Sequence, residues 1–377
     1  MRAAAAWARE NLFDGVWNTL LTLGVGTLLF LVARAILEWA LTGARWEVVP
    51  NTLRLLAVGP FPVDQVWRVW LLALLVAFMS GASVGMWSRR LNRPLLLACG
   101  LLLLLALASA PLLQRSSWLF LVGAAALLPT GLWLGTLVRP YRRQLSLLWL
   151  LLPVPAAMAL LAVPMNLWGG LLLTLIITVV SLAIAFPLGI VLALGRMSGM
   201  PIIRWLSTGF VELMRGVPLV SILFLAWLMI PLFVPEEWRT PQLVRAIIGF
   251  ALFNGAYISE YVRGGLQGVP KGQTEGAKAL GLGPVDTTWR IVLPQAIRSV
   301  IPGLVGQAIT AFKNTSLVVI IGLLDLLGIT QSILANPRYL GLEQELYLFL
   351  MVLYFALASL MSFLGRRIEA SMGLGTR

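Results

Sequence analysis

The stretch from Gly170 to Gly195, GLLLTLIITVVSLAIAFPLGIVLALG, holds no charged residue and is long enough to cross a bilayer as one helix. A hydrocarbon core of about 30 Å takes roughly 20 helical residues. Measured against that length, the chain offers candidate spans at about 16–39, 67–87, 94–113, 118–138, 145–163, 169–195, 218–234, 243–262, 294–312 and 346–364. The region 316–334 is also apolar but carries Asp325, so it reads either as a half-helix or as a continuation of the span before it. Tryptophans stand at many span edges (Trp17, Trp39, Trp67, Trp87, Trp118 and Trp168), where an amphipathic ring meets the membrane surface. The expected fold is an all-α membrane protein with about ten transmembrane helices.

Composition agrees. Of 377 residues, 59% are hydrophobic and 11% charged, and the mean hydropathy is +0.91. A soluble domain carries about a quarter charged residues. There is no histidine, and the single cysteine, Cys99, lies in an apolar run, which removes an internal disulfide framework and the usual zinc or Cys/His chemistry. The formal charge of +13 does not point to nucleic acid, because the basic residues come in small groups between apolar runs. Every second connection is basic: Arg2 and Arg9, then Arg89, Arg90 and Arg93, then Arg139, Arg142 and Arg143, then Arg196, Arg204 and Arg215, then Arg263, Lys271, Lys278 and Arg290, and finally Arg366, Arg367 and Arg377. This bias predicts that those connections and both termini face the cytoplasm. Residues 1–11 are weakly basic, and the apolar run after them is too long for the core of a cleavable signal, so it reads as a first span.

The longest predicted cytoplasmic connection contains EGAKALGLGPVDTTWRIVLPQ, from Glu275 to Gln295. Pro270 precedes a run expected to be helical, with Glu275 in its first turn, where a carboxylate favours the positive helix end. Gly276, Ala277 and Leu280 are expected to share one small, weakly apolar face. Gly281 and Gly283 then stop the helix, Pro284 suits the first turn of a second helix through 289–291, and Pro294 starts or kinks the next span. The pattern predicts a short rod lying across the membrane surface, with a face that lets another protein approach its backbone.

These residues also resemble a family motif. Glu275-Gly276-Ala277, three residues, Gly281, nine residues and Ile291-Val292-Leu293-Pro294 are similar to the EAA loop of ABC importer permeases, EAA-x3-G-x9-I-x-L-P. Gly276 departs from the alanine of that pattern, a change that lowers local helix propensity by up to about 1 kcal/mol. The resemblance continues through VELMRGVPL (211–219), AYISEYVRGG (256–265), KGQTE (271–275), LPQA (293–296) and KNTSL (313–317), in the order and spacing of the polar amino-acid permease group. It covers about 166–367. It implies a type I importer permease core at 166–377 with its EAA coupling loop at 270–294, preceded by an extension at 1–165 with about five spans, similar to the larger permease subunits of general L-amino-acid importers of Gram-negative bacteria. It further implies a bacterial inner-membrane location, a separate ATPase pair that binds ATP and Mg2+, a second, similar permease subunit, and a periplasmic amino-acid-binding protein. In that family the loop docks in a groove of the ATPase, which would give Glu275, Gly276, Ala277, Leu280, Gly281, Ile291, Leu293 and Pro294 an ATPase-coupling role. Three further departures, Val217 for threonine, Ser221 for glutamine and Asn314 for aspartate, bear on selectivity; the last removes a negative charge beside Lys313.

Other polar positions admit two readings. Lys313, Asn314, Thr315 and Ser316 break an apolar sequence near the end of a span, either as part of a substrate passage or gate, or as a snorkelling lysine at a helix break. Glu260 and Arg263 read as structural contacts with Arg215, Glu212 or the following loop. Asp325 fits a helix end or a cavity. Pro187 and Gly189 suggest a kink, and Gly249, Gly255 and Ala256 suit helix–helix packing. The five N-terminal spans read as packing, assembly or lipid contact; a loose echo between 17–24 and 169–178 is too short for a repeat. No G-x-x-x-x-G-K-[ST] loop occurs, so nothing in the chain resembles a nucleotide P-loop, and no metal or cofactor site is expected in it. The rival function is an ion-gradient-driven carrier, which needs acidic residues deep in the membrane; only Asp325 and Glu260 qualify. A membrane enzyme would need catalytic groups that the composition does not supply.

Overall fold

The computed structural model describes Trp7, residues 10–87 and residues 115–373. The expected span at 94–113 and the arginines at 89, 90 and 93 lie outside the described residues. Among the described residues the chain is helical throughout, and its only β-type contact is a single bridge between Gly170 and Asp325. Among the described residues, eight helices are long and apolar enough to cross a membrane, or nine when one bent pair is taken as a span.

The N-terminal part holds α1 (Val16–Glu38), α2 (Val48–Val58), α3 (Val66–Trp87), α4 (Arg115–Leu137), α5 (Arg142–Leu151) and α6 (Pro153–Leu161). α3 and α4 pack through two Gly-x-x-x-Gly pairs. A Cβ on Gly81 or Gly85 would collide with the carbonyls of Leu128 and Leu132, and one on Gly131 or Gly135 with those of Phe78 and Ala82. Small residues at a four-residue spacing let the two backbones touch, which is how helices associate where lipid removes the hydrophobic driving force. Trp149 of α5 closes this group by donating its indole N–H to Ser83 Oγ at 2.9 Å. Among the described residues, none in α1 is buried.

The connection 41–66, expected to be a loop, contains α2. Its apolar face is buried against the C-terminal part, where Val48 and Leu56 join Leu326, Ile329 and Leu346, and Val58 joins Leu173 and Ile177. At its end Gly59 (φ +66°) comes so close to Gly169 that a Cβ would lie 2.5 Å from the Gly169 Cα. Arg45 N–H donates to the buried Glu345 carboxylate at 2.9 Å, a second tie across the same junction.

The C-terminal part runs α7 (Gly170–Arg196), α8 (Pro201–Gly216), α9 (Leu219–Phe224), α10 (Gln242–Gly268), α11 (Lys271–Ala279), α12 (Leu293–Asn314), α13 (Leu326–Leu334) and α14 (Glu343–Ser371). α7 and α10 lie side by side, with Gly189 against Ile258 and Gly255 against Leu188. Pro187 sits inside an unbroken α7.

Two expectations need revision, and the open reading of 316–334 resolves into both of its alternatives. The segment 218–234 is not a straight span: α9 continues through a π turn to Phe233 and is bent 105° from α8. Val217 is extended and Pro218 has no N–H, so the helix cannot run through them. The basic connection holding Arg204 and Arg215 is itself helical, as α8, with Ile202, Trp205, Leu206 and Leu213 exposed along one side. Finally, 316–334 is divided. A 3-10 turn extends α12 to Ile321, Gly322 turns left-handed (φ +81°), and Asp325 caps a separate α13 by accepting the Gly328 N–H at 2.9 Å.

Candidate functional site: a clasped hairpin bearing a surface helix

The surface rod is α11. It begins at Lys271, directly after Pro270, so Glu275 lies in its second turn and not in the first, and the helix-end argument for this carboxylate lapses. The stop falls where the glycines place it. Gly281 N–H bonds the Lys278 carbonyl at 2.9 Å and Leu282 N–H the Ala277 carbonyl at 3.0 Å, a Schellman pair closed by Gly281 at φ +78°. Gly283 precedes Pro284, which opens the next helical turn.

That turn does not form a separate second helix. It runs through a π segment, Thr287–Val292, directly into α12, giving one helical stretch from Pro284 to Ile321. Pro294 occupies the second position of α12, where its missing N–H is tolerated after the wider π turn. Ile291 is half-buried, Leu293 buried and Pro294 exposed.

The expected common face of Gly276, Ala277 and Leu280 is split. Ala277 is 4% exposed, in a helix that packs against Thr287–Val292, whereas Leu280 is 83% exposed and nothing lies near the Gly276 Cα. The rod therefore uses its alanine inward and presents glycine and leucine outward. Glu275 is exposed and forms no ion pair with the described residues.

The rod hangs between two spans fastened to each other. Gln307 of α12 donates to Asn254 Oδ1 of α10 at 2.8 Å, and Asn254 Nδ2 donates to the Phe250 carbonyl at 2.8 Å, both side chains being buried. Nearer the rod, Gly303 meets Tyr261 and Gly265 meets the Ala296 carbonyl. These contacts set α10 antiparallel to α12 along most of their length. The amide pair was not singled out from sequence, although two amides within otherwise apolar spans are the signal that marks it.

Beside the hairpin, Glu260 gathers three guanidinium groups. Arg196 ends α7 and reaches Glu260 Oε1 at 2.7 Å; Arg215, at the end of α8, reaches the same oxygen at 2.8 Å; Arg263 reaches Oε2 at 2.7 Å. Arg196 also meets Glu212 at 3.3 Å. Glu260, Arg263 and Arg215 are thus brought together, and the knot ties the bend of the broken pair to α7 and α10. Arg196 stands among other basic residues in the sequence, and only the fold brings it from the end of α7 to Glu260.

The polar break at the far end of α12 lies elsewhere. Lys313 is exposed in the last turn, and Asn314 is the final α-helical residue. The Thr315 hydroxyl is buried and donates to the Phe312 carbonyl at 2.8 Å, and that of Ser316 donates to the Lys313 carbonyl at 3.0 Å. Both hydroxyls thus finish the helix locally. Asp325 is fully buried nearby, where Thr174 Oγ1 accepts the Leu326 N–H at 3.1 Å and Gly170 N–H donates to the Leu324 carbonyl at 2.9 Å. These bonds pin the start of α7 to the start of α13.

Residues 185–373 match the family described as the binding-protein-dependent transport system inner membrane component, and the chain belongs to that family. Relatives extend the likeness to the N-terminal part. The inner membrane amino-acid ABC transporter permease protein YhdY of Escherichia coli (strain K12) is 37% identical over 99% of this chain and 94% of its own length. The glutamate/glutamine/aspartate/asparagine transport system permease protein BztC of Rhodobacter capsulatus is 33% identical over 93% of this chain and 90% of its own. A crystal structure of an amino acid ABC transporter with histidines aligns with 53% of this chain and 91% of that one, at 28% identity and a TM-score of 0.48. The protein is a multi-pass inner-membrane permease.

Proposed function

We propose that this chain is the membrane-spanning subunit that passes L-amino acids across the bacterial inner membrane, driven by ATP hydrolysis in a separate ATPase pair that holds the ATP and Mg2+. A second, related permease subunit would complete the passage, a periplasmic amino-acid-binding protein would deliver the cargo, and both termini would lie in the cytoplasm. The cargo class rests on the relatives, two of which match nearly the whole chain and carry amino-acid transport in their names. The mechanical part rests on one observation: α11 is a short exposed helix whose inward side is occupied by Ala277 and whose outward side (Glu275, Gly276 and Leu280) is free. A rod so mounted, between two spans joined by a buried amide pair, transfers a push from an ATPase to both spans together. The residues 313–316, at the other end of the same helical stretch, lie where such a displacement would reach the passage or gate. Such a cycle requires two conformations within a few kcal/mol that ATP binding favours unequally.

The experiment is uptake of labelled amino acids by membrane vesicles containing this chain with and without its ATPase. Uptake should require the ATPase and ATP. Uptake by the chain alone under an ion gradient would establish the gradient-driven carrier instead.

A further inference from the structure

A cleft of about 860 Å³ opens between the last turn of α7 and the coupling loop. Its size falls in the range of small-ligand sites, about 300–1,000 Å³. Its lining includes the apolar Leu194, Met197, Val285 and Trp289 together with Lys271 and Lys278. Among the described residues no carboxylate lines it: Asp286 pairs with Arg290 at 2.8 Å, and Glu275, one turn from each lysine on α11, neither lines the cleft nor pairs with them. Neither lysine pairs with an acid among the described residues. The wall also holds the Thr287 hydroxyl, buried and without a hydrogen bond.

Two cations that form no ion pair among the described residues line this largely apolar cleft, at the level where α7 ends, and match an anion carried on an apolar body. A lysine near an anionic bilayer surface contributes on the order of one factor of five to ten in binding. We propose that this cleft holds the phosphoryl headgroup of an anionic phospholipid, with its glycerol and first acyl carbons against Leu194 and Trp289. A lipid seated there bridges α7 and α11, so the resting position of the rod depends on membrane charge; that consequence, unlike the binding itself, rests on the coupling role of α11.

The test uses the full chain, purified in detergent with the subunits that accompany it, and native mass spectrometry with phosphatidylglycerol, phosphatidylcholine and inorganic phosphate. Phosphatidylglycerol should be retained in preference to phosphatidylcholine, and Lys271→Gln with Lys278→Gln should lower retention by roughly tenfold or more. The Arg pair at the same positions should retain it. Thr274→Asp keeps both lysines and adds a carboxylate to the cleft wall, so it should weaken retention even if the glutamine pair folds poorly. Equal retention of both lipids, or unchanged retention in Thr274→Asp and the glutamine pair, overturns the proposal. Displacement of the lipid by inorganic phosphate would overturn the lipid as occupant and leave a site for a soluble anion. Binding is read without nucleotide, so a failure of ATP-dependent uptake would count against the coupling role alone.

Discussion

Glu275 has no partner among the described residues, so its removal has no packing cost to exact. Glu275→Ala should leave thermal unfolding in detergent unchanged to within about 0.5 kcal/mol, yet lower ATP-driven uptake when measured with the ATPase present. Normal uptake would remove Glu275 from the coupling surface. Gly281 differs in kind, because its left-handed backbone costs any other side chain about 1–2 kcal/mol. Gly281→Arg should fray the end of α11 and uncouple hydrolysis from uptake while the subunit stays inserted, read as ATPase activity against transport in the same vesicles. Asp325 offers a sharper contrast. As the cap of α13, it should tolerate Asn, a comparably good cap, whereas Ala should cost about 1–2 kcal/mol by thermal unfolding. Equal loss in both variants would show that the carboxylate charge, and not the cap, is what matters there.

At the scale of elements, the buried Asn254–Gln307 bond fastens α10 to α12. Asn254→Leu or Gln307→Leu alone strands a buried amide and should cost about 1–3 kcal/mol, while the double variant should recover much of that loss. Additive losses in a double-mutant cycle would show that the two amides act separately. How far elements could be read in advance depended on the local chemistry. The stop at Gly281 and the restart at Pro284 were legible because only glycine suits a left-handed turn there and proline suits a first helical turn. The fusion of that restart with α12 was not, since a π turn is a response to Pro294 and to packing and has no composition of its own. α2 falls in the connection between the candidate spans 16–39 and 67–87 because its eleven residues are too few to cross a membrane and Arg54 interrupts them, and no short segment announces the surface that buries it. α8 was missed for a related reason: its arginines were counted as loop charge while its apolar residues recur at helical spacing.

For the whole molecule, the runs of apolar residues made the membrane class and the approximate number of spans plain, because backbone polarity leaves little choice inside lipid. The burial of Ala277 and the role of Arg196 were hidden, since both depend on segments far apart in sequence. The N-terminal part is the least expected feature at this scale. The backbone contact between Gly59 and Gly169, the α2 face on Leu326 and Ile329, and the Arg45–Glu345 bond seat it on the start of α7, on α13 and on the start of α14. No slack exists at that seam. Cutting the chain at residue 165 would bare an oily scar on the remaining half, so the shortened protein should clump in detergent where the parent stays monodisperse, and gene fusions or trimmed versions of this subunit should be joined anywhere but there.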